Sequence, residues 1–354
     1  MKIVTFEKEE KYIKDFLELP KKLYNKKEIV QNEELEKDLL LGNHCLNKYF
    51  KQYKMLLYSE KDIVIGRCIL TVYPEDEVGY IGFFECIENI EAGKFMLEYA
   101  NHLANTLNLS SIKGPVDSSF WIKYRLKMNR FDERPYTSEP YNKGYYKDIF
   151  LKAGYDISQE YISNQYVKPS IGDKQFDKYK EKWKEIRKKY KIVTPNKRNF
   201  IYYLEDIYVL ITKLYSTFPI YKEISKEDFI EMYKDYANIA DFNLVKLVYL
   251  EDKPVAFMLG FPDYSNLLYN KNKKNLIQIF LRKFRAKRYV NLYMGIEKKH
   301  IQLGRYFMYE TIRFLWFKNS STITALIASE KPNKNYAIQK ILKKNEYCLF
   351  EKKV

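Results

Sequence analysis

Two hairpin signals, one in each half of the chain, constrain the fold more than any other feature. The first is "KMLLYSEKDIVIGRCILTVY", where two apolar runs flank the polar turn "SEKD". The second is "NLVKLVYLEDKPVAFMLGFPDY", turning at "EDKP". Apolar runs of strand length joined by a short polar turn predict antiparallel pairs. Each hairpin also follows two helical segments. Residues 9–24 set Tyr12, Phe16, Leu17, Leu19 and Leu23 at helical spacing, and an acidic helix follows around 33–41. In the second half, helices are expected over roughly 202–217 and 226–237.

A strand, a helix and a further strand come after each hairpin. In the first half these are "VGYIGFFECI", a helix over 91–107 and "SIKGPV", which ends in a Gly-Pro turn. In the second they are the strand 289–296, a helix over 301–318 and "TITALIA", with a basic helix near 273–286 interposed. A short strand "KIVTF" opens the chain, and a helix at 333–343 and a strand "EYCLFEK" close it. No residue-level repeat is visible; what recurs is the order of elements. The expected class is α/β (α+β), with two domains, each a mixed, mainly antiparallel sheet flanked by helices. A length of 354 residues suits that division. The lysine-rich stretch 173–197, with Pro195 near its end, reads as a helical connection between domains at 1–172 and 198–354.

The net charge of +16 lies mostly in the second half. Residues 1–196 carry 34 Lys/Arg against 30 Asp/Glu, whereas residues 197–354 carry 28 against 16. The second half is therefore the one to attract an anionic partner. Between Asp263 and Glu297 no acidic residue interrupts Lys271, Lys273, Lys274, Arg282, Lys283, Arg285, Lys287 and Arg288. In the same stretch Leu276, Ile277, Phe280, Leu281 and Phe284 form one apolar helical face. A solvated face is the plain reading. A docking surface for tRNA, an acidic acyl carrier protein or a membrane is the sharper one. Cys45, Cys68, Cys86 and Cys348 are scattered without CxxC pairing, which suits a reduced cytoplasm. With three histidines far apart, no metal site is expected. The N-terminus has no signal-peptide core and no segment reaches the length of a membrane span.

The strand "YVNLYMGI" runs into "KKHIQLGRYFMYETIRFLWF", and a strand feeding a helix N-terminus is a common anion cradle. With the second hairpin, this strand and turn, and "TITALIASEKPNKNYAIQKIL", the second half resembles the Gcn5-related N-acetyltransferase (GNAT) fold. The first half, through "YIGFFEC", "KGPVD" and "EPYNKGYY", resembles the partner domain of tandem GNAT-like proteins. The resemblance implies an acyl donor, acetyl-CoA or another acyl-CoA, or an acyl-phosphopantetheine on a carrier protein. It also implies direct transfer to an amine on a small molecule or peptide. An aminoacyl-tRNA-dependent transferase and a non-catalytic binding protein are the alternatives.

The family's pyrophosphate turn has an Arg or Gln, two residues, a Gly, one residue, then Gly or Ala. With Gly304 in the last place, Lys299 takes the first and Gln302 the middle, where a glycine would let backbone N–H groups approach phosphate. Leu303 and Arg305 complete the turn. Tyr293, Met294, Gly295 and Ile296 fall on the strand whose backbone N–H polarises the thioester carbonyl in the family. Tyr336 stands where the family often has a general acid, and Asn335 beside it is expected on the pantetheine arm or at a helix cap. The first half has no comparable turn after "GFFECIENIEAG", so no second cofactor is expected there.

On the acceptor side, Glu85 lies in an otherwise apolar strand, where a carboxylate is either functional or part of a buried network. Glu139, Tyr141 and Asn142 sit in the aromatic, turn-rich segment 117–148, which is long for a connector. Glu139 is expected either in the site, at the cap of a helix over 142–151, or in solvent. Trp121, Tyr124 and Arg125 are further acceptor-side candidates, or else a helical strip packed on the sheet.

Overall fold

The computed structural model describes residues 1–170, 172, 174–269, 272–329 and 340–354. The chain forms two compact units, one of residues 1–161 with 345–354 and the other of residues 162–344.

The first unit opens with β1 (Lys2–Phe6), α1 (Glu10–Leu23) and α2 (Glu33–Leu41). α1 buries Ile13, Phe16, Leu17 and Leu19 on one face. α2 starts where the Asn32 side chain accepts the Leu35 N–H and stops where Gly42 takes a left-handed φ of 81°. The hairpin β2 (Lys51–Tyr58) and β3 (Val64–Val72) pairs antiparallel, and β4 (Val78–Cys86) adds to β3. Next come α3 (Ile90–Thr106), β5 (Ser111–Gly114), the short β6 (Leu126–Lys127), α4 (Tyr146–Lys152) and β7 (Asp156–Tyr166), whose later residues belong to the second unit. A core of Met55, Leu57, Leu70, Ile81, Met96, Leu97, Ile112 and Phe150 lies between the sheet and helices α3 and α4.

Chain order in the second unit is α5 (Lys174–Lys189), β8 (Lys191–Val193), α6 (Phe200–Tyr215), α7 (Lys226–Tyr233), α8 (Tyr236–Ile239), β9 (Val245–Leu250), β10 (Lys253–Pro262), α9 (Lys273–Arg285), β11 (Arg288–Ile296), α10 (Leu303–Phe317) and β12 (Ser321–Ala328). The expected hairpin turn is a two-residue one, with Glu251 and Asp252 both at positive φ (50° and 60°). That geometry matches the twist of the flanking strands. β11 and β12 run parallel, with β10, β9 and β8 following antiparallel. The core gathers Leu244, Val248, Met258, Tyr289, Leu303, Tyr306 and Phe307. α5, read above as a connection, packs on α10 through Phe176, Tyr309 and Ile312.

β13 (Ile341–Lys353) closes the chain, and its residues from 345 on belong to the first unit, antiparallel to β5 and β6.

Several expectations change. β7 was not anticipated. The lysine-rich helix ends at Lys189, and the chain then pairs as β8 against β9. The helix expected over 333–343 falls partly outside the described residues, and 341–343 are strand. Strand pairing has outweighed local helical periodicity there. The strip 117–125 is no helix. It folds back on itself, with Val116 bridging Tyr124, Asp117 N–H donating to Lys123 O (2.8 Å) and Arg125 N–H donating to Pro115 O (3.0 Å).

Candidate active site

In each unit a central strand parts from its parallel neighbour and then carries a β-bulge. In unit 1, β4 pairs with β5 only from Val78↔Ser111 to Tyr80↔Lys113. The bulge lies at Phe83 and Phe84, between the pairs Arg67↔Glu85 and Ile69↔Gly82, and Phe83 has a φ of 50°. In unit 2, β11 pairs with β12 only from Arg288↔Ser321 to Asn291↔Thr324. Its bulge is at Leu292, between Leu259↔Tyr293 and Gly260↔Asn291. A bulge re-aims backbone groups out of the ladder, and a parting pair of strands leaves room for a ligand to meet them.

The two forks differ in what fills them. In unit 1 the chain after β5 crosses back over β4. Val116 N–H donates to Ile81 O at 2.8 Å, and the Phe83 N–H released by the bulge donates to Asp117 Oδ1 at 2.6 Å. A Cβ on Gly82 would stand 1.9 Å from Val116 O, so only glycine permits the crossing. The helix beyond the fork, α3, is capped by its own residue, Asn89, which accepts the Ala92 N–H at 2.9 Å. In unit 1 the bulge N–H and the helix N-terminus are thus both satisfied from within.

In unit 2, α10 begins at Leu303 after the turn Lys298–His300, and no side chain caps it. Gln302, at the position a glycine was expected to hold, turns its side chain aside: Nε2 donates to Tyr190 Oη at 2.9 Å, and the same hydroxyl is 3.0 Å from His300 Nδ1. Leu303 and Gly304 are buried, while Lys298, Lys299 and Arg305 are exposed around the turn. Tyr293, Met294, Gly295 and Ile296 lie on β11 beyond the bulge, where β12 is no longer paired to it. Met294 and Ile296 also pack on the core, and a Cβ on Gly295 would press on Phe257 Cε1 at 2.4 Å.

Back in unit 1, a cavity of about 30 Å³ is lined by Arg67, Glu85, Tyr124, Arg125, Asn142 and Tyr146, among others. It holds about two waters' worth of space, enough for a small polar group. Glu85 is one of its lining residues. The Tyr24 and Tyr146 hydroxyls both donate to Glu85 Oε2, at 2.8 and 2.7 Å. Tyr146 is set for this by accepting the Cys86 N–H at 3.0 Å. Burial raises the Glu85 carboxyl above its ordinary value, although Arg67 and the two tyrosine hydrogen bonds pull the other way. Arg67, 2% exposed, forms a buried pair with Glu36 at 2.8 Å. Lys123 pairs with Asp117 at 2.9 Å. Arg125 lies over the rings of Tyr124 and Tyr161, 3.7 and 4.1 Å from their centroids.

The overall fold recurs in solved structures. The chain matches a tandem GNAT protein from the clavulanic acid biosynthesis pathway with a TM-score of 0.50 and 8% identity, covering 99% of this chain and 98% of that one. The fold is the tandem GNAT fold. A probable N-acyltransferase of Enterococcus faecalis V583 matches with a TM-score of 0.53 and 10% identity over 100% of this chain and 72% of that one. A GCN5-related N-acetyltransferase from Kribbella flavida gives 0.51 and 7% over 99% and 71%. No family model matches the sequence, and no curated protein matches it. At these identities the likeness concerns the GNAT fold alone.

The sequence-predicted residues do not form one group. Glu85, Tyr124, Arg125, Tyr141 and Asn142 share the unit 1 cavity. Asn142 also pins β6, accepting the Lys127 N–H at 2.6 Å and donating to Lys127 O at 3.2 Å. Trp121 is buried beside Phe120. Glu139 neither caps a helix nor meets solvent. It is 1% exposed and binds Lys127 Nζ (2.6 Å), Tyr347 Oη (2.6 Å), Asn345 Nδ2 (2.7 Å) and the Tyr136 N–H (3.1 Å). So many partners make it a cross-link between the aromatic segment and β13. Asn335 and Tyr336 lie outside the described residues. Tyr24, Arg67, Asp117, Lys123 and Tyr146 were missed. They come from four separate stretches, Asp117 and Lys123 sharing one, and gather around Glu85 and its cavity only through the fold, although "KGPVD" already held Asp117.

Among the described residues no group of His, Cys, Asp and Glu is arranged to hold a metal ion, and no helix is long and apolar enough to cross a membrane.

Proposed function

We propose that the protein is a GNAT-type N-acyltransferase in which unit 2 holds the acyl donor, an acyl-CoA, and unit 1 holds none. The observation that carries this reading is the contrast between the forks. In unit 1 the bulge N–H and the helix N-terminus are occupied by Asp117 and Asn89, whereas α10 starts without a side-chain cap among Lys298, Lys299 and Arg305. The bare helix end and these cations suit a pyrophosphate, and the widening between β11 and β12 suits an extended pantetheine arm. Gln302, drawn off toward Tyr190, keeps its amide clear of the turn.

The proposed reaction joins the amine nitrogen of an acceptor to the thioester carbonyl carbon and breaks the carbon–sulfur bond. The nitrogen gives up a proton and the departing thiolate takes one up. Backbone N–H groups of Tyr293 to Ile296 are assigned to the thioester side, with Lys299, Gln302, Leu303, Gly304 and Arg305 on the phosphates. Tyr336 and Asn335 keep the roles implied by the resemblance. Glu85 is assigned to a small polar, amine-bearing part of an acceptor, since its carboxyl sits in a cavity of that scale beside two phenols.

Calorimetric titration with CoA and acetyl-CoA tests the donor site. Binding that falls about tenfold in Lys299→Glu/Arg305→Glu, at unchanged melting temperature, is the expected result. Absence of binding by the wild type to CoA and to a panel of longer acyl-CoAs would sink the assignment. In turnover assays that follow thiol release, Glu85→Gln is expected to alter the acceptor kinetics and leave CoA affinity unchanged.

A further inference from the structure

α9 is an amphipathic helix attached the wrong way round for a core helix. Leu276, Ile277, Phe280, Leu281 and Phe284 are 49, 61, 63, 52 and 56% exposed, and no residue of the helix is buried. At 100° per residue these five fall in one arc of about 140°. The side toward the rest of unit 2 is held by polar bonds. Arg282 Nη1 donates to Asp263 O (3.0 Å) and Ser265 Oγ (2.8 Å), and Lys283 Nζ donates to Asn238 O (2.6 Å). Cations border the apolar arc, with Lys283 on one side and Lys274 and Arg285 on the other. No carboxylate occurs in the sequence from 264 to 296. Trp316 and Phe317, 50 and 79% exposed, end a helix whose following residues bond the chain just after α9: Ser320 Oγ to Ala286 O (2.7 Å) and Ser321 N–H to Lys287 O (3.0 Å).

We infer that α9 docks unit 2 on an anionic lipid surface, lying in the plane of the interface with Ile277, Phe280, Leu281 and Phe284 among the acyl chains. Lys274 and Arg285, at the edge of the arc, then meet lipid phosphates, and Lys273, on the apolar side in the first turn, reaches them from the helix end. A broad, exposed apolar arc bordered by cations is what such an interface requires. Binding through phosphate contacts alone, as to nucleic acid, needs no large exposed apolar face. Pairing with a second copy would set two carboxylate-free basic faces against each other, with repulsion and no counter-charge.

Vesicle co-sedimentation of the full chain tests this. Phosphatidylcholine vesicles with about 30 mol% phosphatidylglycerol are compared with phosphatidylcholine alone, at about 0.1 M and about 0.5 M salt. Expected are binding to the anionic vesicles, little to the neutral ones, and weakening by salt. Phe280→Ser/Phe284→Ser removes apolar contact from exposed positions, so it should fold, and a matching melting curve checks that. Its affinity for anionic vesicles is expected to fall about tenfold or more. Failure of the wild type to bind anionic vesicles overturns the inference. So does binding that the double serine variant retains in full, which would be adsorption by charge alone. A wild-type dimer that the same variant dissolves, or an acidic protein or RNA that displaces the vesicles from α9, would assign the face to that partner instead.

Discussion

At Glu85 burial and hydrogen bonding pull in opposite directions. Loss of solvent favours the neutral carboxyl, while Arg67, Tyr24 and Tyr146 favour the carboxylate, and burial prevails. The folded value therefore lies above the unfolded one. Between the two, the native state binds more protons than the unfolded chain, so this residue's contribution to stability is lost as pH rises from the ordinary carboxylate value through the raised one. Glu85→Gln cannot ionise and keeps an oxygen for the two tyrosines. Its melting temperature relative to wild type is expected to rise across that window, and a pH series of thermal melts checks it; parallel curves for the two proteins would contradict the assignment. The residue was legible as a carboxylate in an apolar strand. Its partners were not, because Tyr24 lies on the loop after α1, Arg67 on β3 and Tyr146 on α4. Glu139 shows the same limit from the other side. Its neighbours in sequence left it in the site, at a helix cap or in solvent, whereas its burial depends on Tyr347 and Asn345, more than two hundred positions away.

Helices and strands were read best where a periodic pattern met a clear terminus. α2, α3 and α7 start at Asn32, Asn89 and Ser225, each accepting a backbone N–H, and the hairpins turn at the expected places. β7 escaped because "DISQEYISNQY" is polar in its first half, and that half is exposed along one stretch of the strand. The end of the chain escaped because pairing partners, not local pattern, decide that Ile341 starts a strand. Between α3 and α10 the difference is one cap. Asn89→Ala is expected to cost about 1 kcal/mol of unfolding free energy in chemical denaturation. It is not expected to give unit 1 affinity for CoA, because Asp117 still holds the Phe83 N–H; calorimetry on the same variant reads that second outcome.

For the whole molecule, the repeated order of elements was visible in the sequence, but the way it is cut was not. The units are not two consecutive pieces, since residues 345–354 belong with 1–161. β13 supplies Cys348 and Phe350 to the first core, and its Tyr347 closes the Glu139 network. Removing residues 345–354 is therefore expected to unfold unit 1 and spare unit 2. Limited proteolysis read by mass spectrometry would show cuts spread through 1–161, with a protected fragment covering α6 to β12. Protection of residues 1–161 in the truncated protein would mean that β13 is dispensable. The same arrangement governs what happens during synthesis. Unit 1 leaves the ribosome first yet waits, lacking a strand, until all of unit 2 has been translated. Through that interval the β5 margin stays unpaired, an opening for mispairing with other nascent chains and a natural target for chaperones.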